Sequence, residues 1–252
     1  VYNFKKGGIM GKFRERFSVF LILFPFLVIS GLPIEVGVEL TGQTRYVWRG
    51  LRLSRGPVAQ PTVWLSFAGW TISPWANITL GNKVDGWGLK ELDLNLGYQL
   101  DLLGVKVEPS ATGCFYPDDW TEPELALGVN FGYEVGELEL SSEHTSVVFP
   151  SAGGYFGTIG AVFSREVGYG LAPEMWLACG WGSTKFNEIN YGVARWALNV
   201  IESGAGLNYA LKGLVDVKPF IALSVVPDKT LRNDGGERLI EAVGGLTITR
   251  GL

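Results

Sequence analysis

The residues best able to do chemistry are two arginines four positions apart, Arg45 and Arg49, and a scattered set of carboxylates. Along extended segments, residues of one parity share a face. On that basis the face carrying Arg45 and Arg49 also carries Glu91 and Asp93 from one segment and Glu108, Glu124 and Glu241 from three others. Fixed guanidinium groups facing carboxylates across a narrow space would hold an electric field there and sort ions by charge. The same charges would also suit an internal ion-pair network with no transport, and the residue types alone leave both readings open. A second candidate is the His-x-Ser pair of His144 and Ser146. In a strand these share a face, so the imidazole could take the hydroxyl proton as a general base. Metal chemistry has little to draw on. One histidine and two cysteines cannot supply a multi-histidine or four-thiolate site, and no metal or organic cofactor is expected. Cys114 and Cys179 have opposite parity, which argues against a mutual disulfide.

The elements that must position these groups read with a period of two. Ile34, Val36, Val38, Leu40, Tyr46 and Trp48 fall on one face of the first segment, and Glu35, Glu39, Gln43, Arg45 and Arg49 on the other. Alternation recurs over 58–68, 71–81, 88–100, 104–115, 123–135, 137–146, 154–165, 171–182, 198–211, 214–226 and 238–250, twelve segments in all. No long run past residue 33 reads at helical period. Every second connection is short (69–70, 101–104, 135–137, 165–170, 212–213), and the intervening ones are long: 50–57, 82–87, 116–122, 147–153, 183–197 and 227–237. Short turns at one end and long loops at the other mark an outer-membrane barrel. In hydrocarbon an unpaired strand edge costs several kcal/mol per group, so such a sheet must close on itself. The fold class expected is therefore all-β, a single closed antiparallel transmembrane β-barrel of twelve strands. An interfacial aromatic belt is expected from Tyr46, Trp48, Trp70, Trp87 and Trp181, with Trp120 and Trp196 near the long-loop end. Trp64, Trp75 and Trp176 have inward parity, where they would fill the lumen or stack on a sugar.

The ends and the composition agree. Residues 10–30 read as a secretory signal peptide: Lys12, Arg14 and Arg16, then an apolar run from Phe17 to Ile29, with Val28 and Ser30 placed for cleavage. Residues 1–9 lie ahead of Met10 and are set aside as an upstream extension, leaving 31–252 as the barrel domain. Glycine supplies 35 of 252 residues, charged residues only 18%, and Trp, Tyr and Phe 9, 9 and 14. That is too apolar and aromatic for a disordered chain. Beyond residue 31 there are 16 basic against 24 acidic groups, which argues against nucleic acid as a partner.

The stretch Arg45-Tyr-Val-Trp-Arg-Gly50, followed by Leu51-Arg-Leu-Ser54 and Pro57 to Pro61, resembles an uncharacterised family of Gram-negative outer-membrane β-barrel proteins. In that family the first strand ends in a Tyr-Val-Phe/Trp-Arg-Gly motif. The resemblance covers roughly residues 34–70 and implies a signal peptide and an outer-membrane barrel, with no reaction and no catalytic residues. The His-x-Ser pair is similar to that of outer-membrane phospholipase A and the lipid A deacylases. Those families usually continue with Asn, whereas Val147 follows here.

Taken together, the sequence predicts a porin-like barrel with both termini periplasmic, acting as a narrow, passive, cation-leaning channel for small solutes or ions. The alternatives are a structural barrel with a charge-packed lumen and a lipid-face hydrolase using His144 and Ser146. The partners expected are outer-membrane lipids and, during biogenesis, the barrel-assembly machinery, which would read the terminal strand 245–252. The sequence does not fix the oligomeric state.

Overall fold

The computed structural model describes residues 33–81, 86–117, 122–211, 214–236 and 238–251. The signal peptide and Trp120 expected from the sequence lie outside these. Twelve strands cross: β1 (Ile34–Gln43), β2 (Val58–Phe67), β3 (Trp70–Leu80), β4 (Trp87–Tyr98), β5 (Val105–Phe115), β6 (Glu124–Val135), β7 (Leu138–Phe149), β8 (Gly154–Ser164), β9 (Leu171–Gly182), β10 (Ala197–Leu211), β11 (Val215–Val225) and β12 (Ile240–Gly251). Leu100–Leu102 continues β4 past a break at Gln99. Each strand pairs antiparallel with its neighbours. The sheet closes where β1 meets β12, from Gly37 opposite Gly251 to Gln43 opposite Gly245, and no backbone ladder is left as an open edge between first and last strand.

The faces sort as the alternation demands. Leu92, Leu94, Leu96, Phe131, Leu177, Ile221 and Leu223 point outward and are exposed, Ile221 by 70%. Their neighbours of the other parity, including Glu91, Asp93 and Lys218, point into the lumen. An outer apolar band and an ionisable interior define a cylinder whose solvent is lipid on one side and water on the other. Among the described residues no helix is long and apolar enough to cross a membrane; the crossing is made by strands.

The short turns run through positive φ, at glycines and at Ala68, Leu103 and Tyr169. Phe67 and Trp70 pair across Ala68 (φ 48°) and Gly69 (φ 83°), a two-residue turn whose hand matches the strand twist. Trp70 packs against Tyr98 beside this turn, ring centres 4.8 Å apart and planes tilted by 47°.

Two departures from the alternation shape the loop end. The first strand stops at Gln43, six residues before the alternation does, and residues 44–57 turn into the barrel. Within this first loop, Val47–Trp48 pairs with Leu51–Arg52 around Arg49 (φ 52°) and Gly50 (φ 91°), a second turn of the same hand. Alternation within a hairpin looks the same whether or not the hairpin belongs to the wall, which is why the run reads as one strand. The second departure is a pair of helices in the loops after β9 and β11. Helix α1 (Thr184–Tyr191) is capped by Ser183, whose hydroxyl accepts from the Phe186 amide at 3.2 Å, and ends at Gly192 (φ 70°). Helix α2 (Lys229–Gly235) is capped by the Asp228 carboxylate, which accepts from Thr230 and Leu231 amides at 2.8 and 3.1 Å. Both are under ten residues, too short for a helical period to stand out.

Candidate functional site: the loop-lined constriction

The first loop, α1 and α2 build one apolar core inside the loop end. Leu51, Phe186, Tyr191, Val193 and Leu231 pack against Phe156 of β8, Val200 of β10 and Val226 after β11. Burying each large side chain of this kind contributes roughly 1.5–3 kcal/mol. The core also holds a satisfied amide network. The Asn187 side-chain amide donates to the carbonyls of Gly182 and Arg195 at 3.2 and 2.8 Å, and its carbonyl accepts from Asn199 at 2.6 Å. Asn199 in turn accepts from the Gly182 amide at 2.7 Å. The helices thus fill the β8–β11 side of the lumen, and the first loop forms the inner boundary of what remains.

The sequence placed Arg45 and Arg49 together, and the structure separates them. The Arg45 guanidinium donates to Glu241 at 2.7 Å and Arg52 to the other oxygen at 3.1 Å, with Arg238 at 3.7 Å. Glu241 is only 3% exposed, so it anchors the loop to β12 instead of lining open space. Arg49 has a different seat. Its guanidinium carbon lies 4.6, 4.4 and 5.5 Å from the ring centres of Trp48, Phe156 and Phe186. Such contacts are worth about 0.5–2 kcal/mol, more as water is excluded. Among the described residues no carboxylate comes within ion-pair distance of it. Burial lowers the Arg49 guanidinium to about 10, with Glu143 and then Tyr46 acting against that, and it stays charged at neutral pH.

Tyr46 and Trp48, expected in the outer aromatic belt, are inside the barrel because their segment is loop. Tyr46 is buried against Trp75 at 5.9 Å, and burial, with Glu91 and Asp93 nearby, pushes its hydroxyl well above the usual range. Trp48 packs on Phe186 at 6.0 Å. Trp87, 75% exposed, lies at the loop end of β4, and Trp181 lies on the outer face of β9. Facing the first loop from the other side is an acidic arc: Glu91 and Asp93 on β4, Glu124 on β6 and Glu143 on β7, all with inward parity. Arg49 lies within electrostatic reach of Glu143 and Glu124. Glu108, on β5 nearer the short turns, accepts from Asn130 at 3.4 Å and belongs to a lower level.

The inward tryptophans fill space. The indole of Trp64 lies directly over Gly37, and that of Trp176 over Gly204, where any side chain would collide with them. Below the constriction, at the short-turn end, Glu39, Glu166, Asn208, Asp216, Lys218 and Thr249 line a cavity of about 460 Å³.

On the outer face, His144 does not meet Ser146. Its Nε2 lies 3.0 Å from the Ser142 hydroxyl and its Nδ1 2.8 Å from the Tyr155 hydroxyl. Ser142 in turn donates to the Thr158 carbonyl at 2.9 Å. A hydroxyl whose proton is already given to a carbonyl accepts from the imidazole; it is not deprotonated by it. Both cysteines are free, Cys114 facing in and Cys179 out.

No family model matches the chain, and no curated protein does. Solved structures do match. The NanC porin shares 12% of residues with a TM-score of 0.55 over 85% of this chain and 100% of its own. The KdgM porin in complex with disordered oligogalacturonate shares 10%, with a TM-score of 0.54 over 84% and 97%. The likeness is one of fold. In architecture this twelve-strand outer-membrane barrel resembles those of bacterial porins.

Proposed function

We propose that the protein is a narrow passive channel of the outer membrane that favours cations. The observation that carries this is the acidic arc at the constriction: Glu91, Asp93, Glu124 and Glu143 all have inward parity and stand opposite Arg49, while Arg45, Arg52 and Arg238 gather on Glu241. In a low-dielectric channel an excess of fixed carboxylates raises the local concentration of cations and repels anions. The KdgM porin's oligogalacturonate is an acidic sugar chain, and an acid-rich lumen of this kind argues against such a solute here. In this reading the long loops face outward and the chain ends of the barrel lie on the periplasmic side, where β1 begins and β12 ends beside the short turns. The fold-level likeness to porins favours passage of solutes over catalysis.

The test is single-channel recording of the full protein in planar bilayers under a potassium chloride gradient. The expected result is small steps with a reversal potential on the cation side. The double variant Glu91→Gln, Asp93→Asn should move that potential toward zero. A barrel that inserts yet gives no steps would mean a structural protein with a filled lumen.

A further inference from the structure

Among the described residues the Arg49 guanidinium is held by ring faces and its hydrogen-bonding edge takes no side-chain partner. Arg45 and Arg52 give theirs to Glu241. Lys106 and Lys218 are paired with Glu134 and Glu174 at 2.6 and 3.2 Å. Arg49 alone of these five is fixed by ring faces, with its backbone pinned from behind by the Tyr191 hydroxyl, which donates to the Arg49 carbonyl at 2.7 Å. Stacking uses the plane of a guanidinium and not its N–H fork, the part that matches a carboxylate in a bidentate pair. Opposite stand carboxylates suited to an ammonium group, Glu143 and Glu124 being the two within its electrostatic reach.

We propose that this constriction selects small zwitterions, solutes carrying an ammonium and a carboxylate a few bonds apart, as in an α-amino acid. Arg49 is the pole for the carboxylate; Glu91, Asp93, Glu124 and Glu143 are the pole for the ammonium. A plain anion meets the acidic arc, and a plain cation must pass the guanidinium. A dipolar solute aligned across the opening offsets both costs at once, because each of its charges faces the opposite sign. The inference rests on the reading of the barrel as a channel and adds to it the solute class and the residue that sets it. The cavity below repeats the mixture, with Lys218 among Glu39, Glu166 and Asp216.

The experiment compares L-alanine with lactamide, a neutral molecule of nearly the same size and shape, in swelling of liposomes that contain the full protein. One or two favourable partly screened pairs should make alanine enter about two- to fivefold faster. Arg49→Gln should abolish that preference and shift the potassium chloride reversal potential further toward cations. Glu143→Gln, which leaves the loop's anchors intact, should reduce the preference by itself and carries the test if the arginine variant fails to fold. Equal rates for the two solutes, or a preference that survives Arg49→Gln, would overturn the zwitterion assignment while leaving the cation-selective steps standing. Absence of both swelling and steps would overturn the channel reading and this one with it.

Discussion

The Tyr191 hydroxyl donates to the carbonyl of Arg49 at 2.7 Å, tying α1 to a loop that lies 142 residues earlier in the chain. That carbonyl belongs to the tip of the hairpin that bounds the constriction, so one hydrogen bond fixes both the loop and the direction of the guanidinium. Tyr191→Phe keeps the ring in the apolar core and removes the hydroxyl that makes this bond, at a cost of about 0.5–1.5 kcal/mol. The expected outcome is a barrel of unchanged fold whose open-channel current is noisier, because the loop leaves its seat more often. Unaltered current noise in planar bilayers would mean the apolar contacts alone hold the loop.

Glu241 carries more than its share of the loop's attachment. It is 3% exposed and receives Arg45 and Arg52 at 2.7 and 3.1 Å. Glu241→Gln leaves the guanidinium groups of Arg45, Arg52 and Arg238 facing a neutral amide, and roughly 2–4 kcal/mol should be lost, less than for a fully dry pair because the arginines are partly solvated. The exposed Lys106–Glu134 pair at 2.6 Å provides the contrast, since water screens both charges and Glu134→Gln should cost far less. Urea unfolding midpoints of the two variants in the same detergent compare them directly.

Strand number, the two faces and the division into short turns and long loops were legible in the sequence because period-two alternation is enforced wherever one face meets lipid. The loop end was not. Tyr46, Trp48 and Arg49 continue the alternation of β1 past Gln43, and only Arg49-Gly50, a pair able to take positive φ together, hinted at a hairpin there. Ser183 and Asp228 are ordinary N-cap residues and Gly192 an ordinary C-cap, yet the helices between them are too short for an apolar stripe to show. The pairing of Arg45 with Glu241 and not with Glu91 follows from where the loop folds, which depends on contacts between segments far apart in the chain. Parity puts His144 and Ser146 on one face, yet the imidazole's serine partner is Ser142.

That partner decides what the outer face can do. Ser142 gives its proton to the Thr158 carbonyl, and Tyr155 occupies the other imidazole nitrogen, so both ring nitrogens are held by hydroxyls. The protein should release no fatty acid from phospholipid vesicles, and His144→Ala should change neither that baseline nor the single-channel conductance. A rise in free fatty acid that depends on Ser142 or Ser146 would contradict this reading of the hydrogen bonds.

The width of the lumen is set in part by aromatic rings laid over glycines. Trp64 covers Gly37 across the β1–β2 contact, Trp176 covers Gly204, and Phe220 covers Gly245, so each large ring lies flat against the wall where a side chain would otherwise stand. Opposite substitutions should therefore move conductance in opposite directions. Trp64→Ala removes bulk from the lumen and should raise the unitary conductance, with a loss of about 3–5 kcal/mol if the wall does not relax into the space. Gly37→Val forces the indole off its seat and into the passage, which should lower the conductance, whatever it costs in stability. If both variants fold and both conduct like the wild type, the ring does not border the path that ions take, and the narrowest point lies wholly at the first loop.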